Sequence, residues 1–181
     1  HMATDRSPVV DTVAHAVTWW EHSTGRRVHS VLLLQPTHPL TEYWHLEEAI
    51  ETYLAHQPAA RSLISITDAQ HIRLSTLYFT RGNRAHTAVR NLNVERPRQS
   101  FRPLFWRNGA IYVARRDLVM EDRRIMDDAP FWYLMARDYS CDLDSPLDWE
   151  IAEFLFRRNN GRVENDRNRE DEMRHTSADT R

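Results

Sequence analysis

A chain of 181 residues suits one α/β domain around one contiguous core and leaves little room for a second. Apolar residues make up 41% and charged residues 28%, a balance that argues against disorder of the body, and no apolar run approaches the roughly 20 residues that span a bilayer. The formal charge of −2, without a basic stripe interleaved with aromatics, argues against a nucleic-acid partner.

Further omissions narrow the chemistry. The N-terminus has no signal-peptide apolar region and the single cysteine, Cys141, has no internal disulfide partner, so a cytoplasmic protein without a membrane partner is expected. All 24 residues counted as Lys plus Arg are Arg, which excludes any step that needs a lysine ammonium from this chain. The four glycines, Gly25, Gly82, Gly109 and Gly161, are too dispersed to build a glycine-rich phosphate cradle.

In chain order, Ser7-Pro8 reads as an N-cap followed by a first-turn proline, and Val9, Val13, Ala16, Val17 and Trp20 recur at helical spacing up to Gly25. Val28 to Leu34 is a short apolar run, the pattern of a strand buried on both faces of a parallel sheet. The prolines of Gln35-Pro-Thr-His-Pro-Leu40 dictate a loop. Thr41 is placed to cap a helix whose apolar face carries Trp44 or Leu46, Ala49, Ile50, Tyr53 and Leu54, and Ser62 to Thr67 returns as a strand, completing a β-α-β unit.

Ile72 to Phe79 reads as a further strand before the Arg81-Gly82-Asn83 turn, and Arg84 to Arg102 as mostly irregular. Phe105 to Val113 forms a strand interrupted at Asn108-Gly109, Arg116 to Glu121 a short helix, and Phe131 to Met135 another strand. Ser145-Pro146 repeats the helix-start signal, with Leu147, Ile151, Ala152, Leu155 and Phe156 as the stripe of a last helix. Residues 1–158 are thus expected to form the domain, and residues 159–181 a charged, disordered tail. The tryptophans Trp19, Trp20, Trp44, Trp132 and Trp149 read as core or subunit contacts.

Asp142 and Asp144, two apart, project from the same side of an extended segment and offer hard oxygen donors suited to Mg²⁺. The competing reading is that acidic residues ahead of a helix favour its N-terminal dipole, and Asp148 fits that better than Asp142 does. Gln35 lies at the carboxyl end of a strand, where open α/β sheets collect ligands; its amide suits a sugar hydroxyl or a ribose, or else pins its own loop. Arg96, Arg98 and Arg107 flank an irregular segment and either bind a carboxylate or phosphate or serve as surface charges.

Five stretches occur in a set order: Val31-Leu-Leu-Leu-Gln-Pro-Thr-His-Pro-Leu40, Arg96-Pro-Arg-Gln99, Arg107-Asn-Gly-Ala-Ile-Tyr112, Tyr133-Leu-Met135 and Cys141-Asp-Leu-Asp-Ser-Pro-Leu-Asp148. Together they resemble the acylneuraminate cytidylyltransferases, or CMP-sialic acid synthetases, whose patterns read LLQPTSPLR, PRQ, NGAIY, Y-hydrophobic-M and DIDTELD. The resemblance implies a Rossmann-like nucleotidyltransferase sheet with flanking helices, and a homodimer joined through a small protruding segment. It also implies transfer of CMP from CTP to a 2-keto sugar acid with Mg²⁺.

Carried over by position, Asp142 and Asp144 match the metal-binding, catalytic aspartates, Gln35 a sugar-pocket glutamine, Arg98 the arginine on the sugar carboxylate with Gln99 beside it, and Tyr112 a pocket tyrosine. Asn108 falls in the NGAIY turn, where it either contacts substrate or holds the turn. The departures are the family's first strands and ARGGSKG-type nucleotide loop, which have no counterpart here, a pocket lysine replaced near Ser75, and His38 and Thr41 in place of the Ser and Arg of QPTSPLR. Three functions fit: a cytidylyltransferase piece or subunit with CTP contacts from a complementing nucleotide-binding chain; a shortened homologue with another metal-assisted reaction on a carboxylated sugar, keto acid or CMP-linked substrate; or a silent ligand- or partner-binding relative. Without the family's first strands, a sheet edge and apolar helix faces are expected to lie open and to favour association.

Overall fold

The computed structural model describes residues 8–69, 72–89 and 102–161. Helix α1 (Val9–Thr24) stops at Gly25, whose left-handed φ of 67° lets its N–H close onto the Glu21 carbonyl at 3.0 Å. The helix buries Val13, Ala14 and Val17. After β1 (Ser30–Leu34), the proline loop makes two successive turns, His38 N–H to Gln35 O and Thr41 N–H to His38 O. Helix α2 (Tyr43–Ala55) starts one residue later than the Thr41 cap predicts, because the Glu42 N–H finds the His45 Nδ1 at 3.0 Å. The buried face of α2 is His45, Ala49 and Tyr53, while Ile50 and Leu54 stay exposed.

The main sheet has the order β1-β5-β2-β6, with β2 at Ser62–Asp68, β5 at Phe105–Arg115 and β6 at Phe131–Leu134. It is a mixed α/β arrangement of the Rossmann-like kind. The strand β1 departs from expectation: it pairs antiparallel with β5 and has no second neighbour among the described residues, so it is an edge strand rather than one enclosed in a parallel sheet. The reason is that β5 inserts between β1 and β2. An apolar run reports burial, but says nothing about the direction of the strand beside it. The pair β2 and β6 is parallel, with Leu63 opposite Phe131 and Ile66 opposite Leu134.

Side chains alternate between the two faces of this sheet. Leu63, Ile111, Val113 and Met135 pack with Ala49 and Tyr53 of α2. Ala114, Val31 and Leu33 pack on the other face with Val13 and Ala14 of α1 and with Leu118 and Val119 of α3 (Arg116–Met120). The open edge of β1 lies in an apolar groove of about 830 Å³ whose walls include Val17, Trp20, Ile50 and Leu54.

Three further expectations need correction. The segment Ile72 to Phe79 is not one strand; it forms a 3₁₀ turn at Leu74–Thr76 and then β3 (Tyr78–Arg81), which pairs with β4 (Arg84–Thr87) across the Gly82-Asn83 turn. Gly82, at φ 59°, supplies the turn that a hairpin of this length demands. The last helix, α4, spans 146–161, so the domain continues past 158, and Asn159 is buried with its amide donating to the Asp138 carbonyl at 3.2 Å. Its apolar stripe is largely outward: Ala152 is buried, yet Leu147, Ile151 and Phe156 are exposed. Trp19, Trp132 and Trp149 are also exposed, which removes the core alternative for them and leaves that of subunit contacts. No helix among the described residues is long and apolar enough to cross a membrane.

Candidate functional site

The site is organised by a bulge in β5. Between the pairs Ile64–Tyr112 and Ile66–Arg107, two steps along β2 answer five along β5, and the surplus residues are those of the Asn108-Gly109-Ala110 turn. Gly109 sits at φ 85°, a conformation that disfavours a side chain. The bulge drives Asn108 inward, where its amide is fully engaged. Its Oδ1 accepts from Ser65 Oγ at 2.5 Å and from the Ala110 N–H at 3.3 Å; its Nδ2 donates to Ser140 Oγ at 2.9 Å and to Met135 Sδ at 3.3 Å. Ser65 Oγ in turn accepts the Ile111 N–H at 2.8 Å, and Ser140 Oγ donates to the Ala136 carbonyl at 3.0 Å. One buried network therefore fastens β2, the bulge and the segment before Asp142.

His38 supplies a second fastening. Its side chain is wholly buried, its Nε2 bonds the Asn108 carbonyl, and its Nδ1 lies 3.7 Å from Asp142 Oδ1. The ring also sits against the bulge, since a Cβ at Gly109 would come within 3.2 Å of His38 Cε1. The Leu143 N–H donates to the Thr37 carbonyl at 3.0 Å, so the aspartate pair is tied by its own backbone to the proline loop.

Asp142, Asp144 and Asp148 all line a hollow of about 590 Å³, together with Arg107, Asn108 and Ser140. Their circumstances differ. Asp148 is used in building α4: its Oδ2 accepts from the Ser145 hydroxyl and N–H, both at 2.7 Å, and from the Asp144 N–H at 3.2 Å. Those bonds, the Ser145 hydroxyl first, hold its carboxyl below the usual carboxylate range. Asp142 and Asp144 are exposed; Asp142 faces the His38 ring, and neither carboxylate accepts a hydrogen bond from the start of α4 among the described residues, which separates them from the helix-dipole role that Asp148 fills. Burial, and then the neighbouring Asp148 and Asp142, push the Cys141 thiol up, so it is kept neutral.

The two open carboxylates fit a hard cation that keeps most of its shell for water and substrate oxygens, as Mg²⁺ does. Among the described residues no group of three or more His, Cys, Asp or Glu side chains is arranged to hold a metal ion, so nothing here forms a closed, all-protein cage.

Gln35 and Tyr112 belong to a different hollow, of about 350 Å³, with Leu33, Arg124 and Met126 among its lining residues. Arg107 lines both hollows. The sequence-derived set thus divides: Asp142, Asp144 and Asn108 on one side of Arg107, Gln35 and Tyr112 on the other. Arg98 and Gln99, with Arg96, lie outside the described residues. Sequence reasoning missed the positioning roles of Ser65 and Ser140, for which a lone serine gives no signal. For His38 a signal existed, as a bulky ring in a position where the resembling pattern has serine.

No protein-family model matches the chain. Comparison with curated proteins finds N-acylneuraminate cytidylyltransferase of Streptococcus agalactiae serotype III, 25% identical over 151 residues that make up 82% of this chain and 34% of that protein. N-acylneuraminate cytidylyltransferase A of Danio rerio is 30% identical over 130 residues, 71% of this chain and 29% of the relative. The CMP-N,N'-diacetyllegionaminic acid synthase of Legionella pneumophila is 26% identical over 164 residues, 87% of this chain and 66% of the relative. The chain spans about a third of the length of the streptococcal relative. These likenesses support the CMP-sialic acid synthetase family as the one this chain resembles.

Proposed function

We propose that this chain takes part in the transfer of CMP from CTP to a 2-keto sugar acid, as a nucleotidyltransferase whose Mg²⁺ is held by Asp142 and Asp144. The observation that carries this reading is the pairing of two exposed carboxylates with Arg107 around one hollow, in a chain whose named relatives are cytidylyltransferases. Bound there, Mg²⁺ would neutralise phosphate charge during displacement of pyrophosphate. The chain's own residues supply placement. His38 and the Leu143–Thr37 backbone bond fix the aspartates against the bulge, and Gln35 and Tyr112 offer neutral polar groups to sugar hydroxyls.

The 181 residues contain no lysine and no glycine-rich loop, so contacts to the triphosphate are assigned to a complementing nucleotide-binding chain. Arg98 and Gln99 are the proposed partners of the sugar carboxylate. Association is part of the reading: the open β1 edge, with Trp20, Ile50 and Leu54 exposed beside it, favours a homodimer or a complementing subunit, in the cytoplasm. The same lack of lysine motivates a second reading, a metal-assisted reaction on a carboxylated sugar or CMP-linked acid that needs no CTP.

The test is turnover with CTP and a 2-keto sugar acid under a Mg²⁺ titration, with Asp144→Ala beside the parent chain. Metal-dependent CMP transfer that disappears in Asp144→Ala, with an unchanged unfolding midpoint, supports the proposal. Retained metal-dependent transfer in that variant sinks the site assignment, and turnover that proceeds without CTP favours the second reading.

A further inference from the structure

The arginines at and after the end of β5 are nearly all spoken for. Arg115 pairs with Asp117 at 2.8 Å, Arg116 with Glu21 at 2.7 Å and Arg124 with Asp128 at 2.5 Å. Arg107, on the same strand, has no carboxylate partner among the described residues, although Asp142 and Asp144 line the same hollow. Its Nη1 donates only to the Met126 thioether at 3.0 Å, a weak acceptor, and its guanidinium carbon stands 5.8 Å from the centre of the Tyr112 ring. The aromatic face and the sulfur orient the fork without neutralising it. Its other donors have no acceptor among the described residues.

We propose that Arg107 is a further oxyanion-binding residue of this site, additional to Arg98, its guanidinium taking a carboxylate or phosphate of the substrate where the two hollows share a lining residue. The placement selects a substrate class: a molecule with one anionic group at Arg107 and neutral hydroxyls directed to Gln35 and Tyr112. The charge logic agrees. The hollow is lined by Asp138, Asp142, Asp144 and Asp148, so an anion entering it needs positive charge, which Arg107 supplies together with Arg137. This inference rests on the reading of that hollow as the reacting end, but it is a statement about anion binding and is tested without turnover.

The experiment titrates the full chain with pyruvate, as the smallest 2-keto carboxylate, and separately with inorganic pyrophosphate, following the Arg107 Nε–H resonance by NMR and the heat of binding. Each titration is run without metal in the parent chain, in Arg107→Met, which keeps a long apolar stem against Tyr112, and in Asp144→Asn. Saturable binding of at least one anion that shifts the Arg107 signal, weakened about tenfold or more in Arg107→Met, is expected, since a charge-assisted bond to an arginine fork contributes at this level. The anion that loses more identifies whether the group is a carboxylate or a phosphate. Binding by Arg107→Met equal to the parent, or an Arg107 signal that neither anion moves, overturns the proposal. Asp144→Asn separates the two hypotheses, because anion binding that persists there while metal-dependent turnover is lost supports both, and unchanged turnover with intact anion binding removes only the metal assignment.

Discussion

Replacing Asn108 with alanine is the sharpest test of how the site is built. The substitution removes both polar ends of an amide that is 7% exposed and makes four hydrogen bonds. The neighbours do not suffer equally. Ser65 Oγ retains the Ile111 carbonyl at 3.2 Å and Ser140 Oγ retains that of Ala136, whereas the Ala110 N–H loses the side-chain oxygen that satisfies it inside the bulge. One orphaned buried donor costs about 1–3 kcal/mol and each lost neutral bond about 0.5–1.5 kcal/mol, so the expected destabilisation is about 2–4 kcal/mol. Urea denaturation followed by tryptophan fluorescence measures it. A cycle with Ser65→Ala should show a coupling of about 0.5 kcal/mol or more, since both side chains serve one network. A loss below about 0.5 kcal/mol for Asn108→Ala, together with weakened substrate binding, refutes the structural role and returns Asn108 to ligand contact.

Two other perturbations follow from the same geometry and from the far end of α1. Gly109→Ala places a Cβ at a φ of 85° and within 3.2 Å of His38 Cε1, so it should cost about 1–2 kcal/mol or more in denaturant unfolding and loosen the aspartate loop; a neutral result would show that the bulge relaxes freely. Glu21 is pulled from an ordinary 4.5 to about 2, first by the Arg116 guanidinium and then by the Val28 N–H. Because its folded value is depressed, the stabilisation is fully present above about pH 4.5 and is lost as pH falls toward 2, the unfolded chain taking up the proton first. Glu21→Gln should therefore flatten the fall in urea midpoint across that window, and an unchanged slope would count against the pairing.

Much of the element order was legible because local signals carried it: Gly25 ends α1, the prolines of 35–40 keep that segment in turns, and Ser145-Pro146 starts α4. What stayed hidden depends on contacts distant in sequence. The run Ser30–Leu34 is equally apolar whether its neighbour is parallel or antiparallel, and only the insertion of β5 decides the matter. The exposed hairpin of β3 and β4 has no apolar alternation to announce it, every residue in both strands being exposed. At the site, Asp142 and Asp144 could be nominated from spacing and Asp148 set apart by its first-turn position, and the structure adds the bond by which the Ser145 hydroxyl occupies the Asp148 carboxylate.

The resembling motifs are dispersed along the chain, and the bulge explains how several of them reach one place. Without the extra residues of Asn108-Gly109-Ala110, β5 would continue its two-residue alternation and Asn108 would have no reason to reach Ser65 and Ser140. With them, Arg107 and Asn108, adjacent in sequence, perform opposite tasks: Asn108 is consumed by the interior, and Arg107 remains available between the two hollows. His38 then reads the position of the bulge from the other side, bonding the Asn108 carbonyl while facing Asp142. The spacing between the anion proposed at Arg107 and the cation proposed at the aspartates would thus be set by one irregularity in one strand. A change that straightens the bulge should consequently disturb both functions together, whereas Arg107→Met should disturb only one.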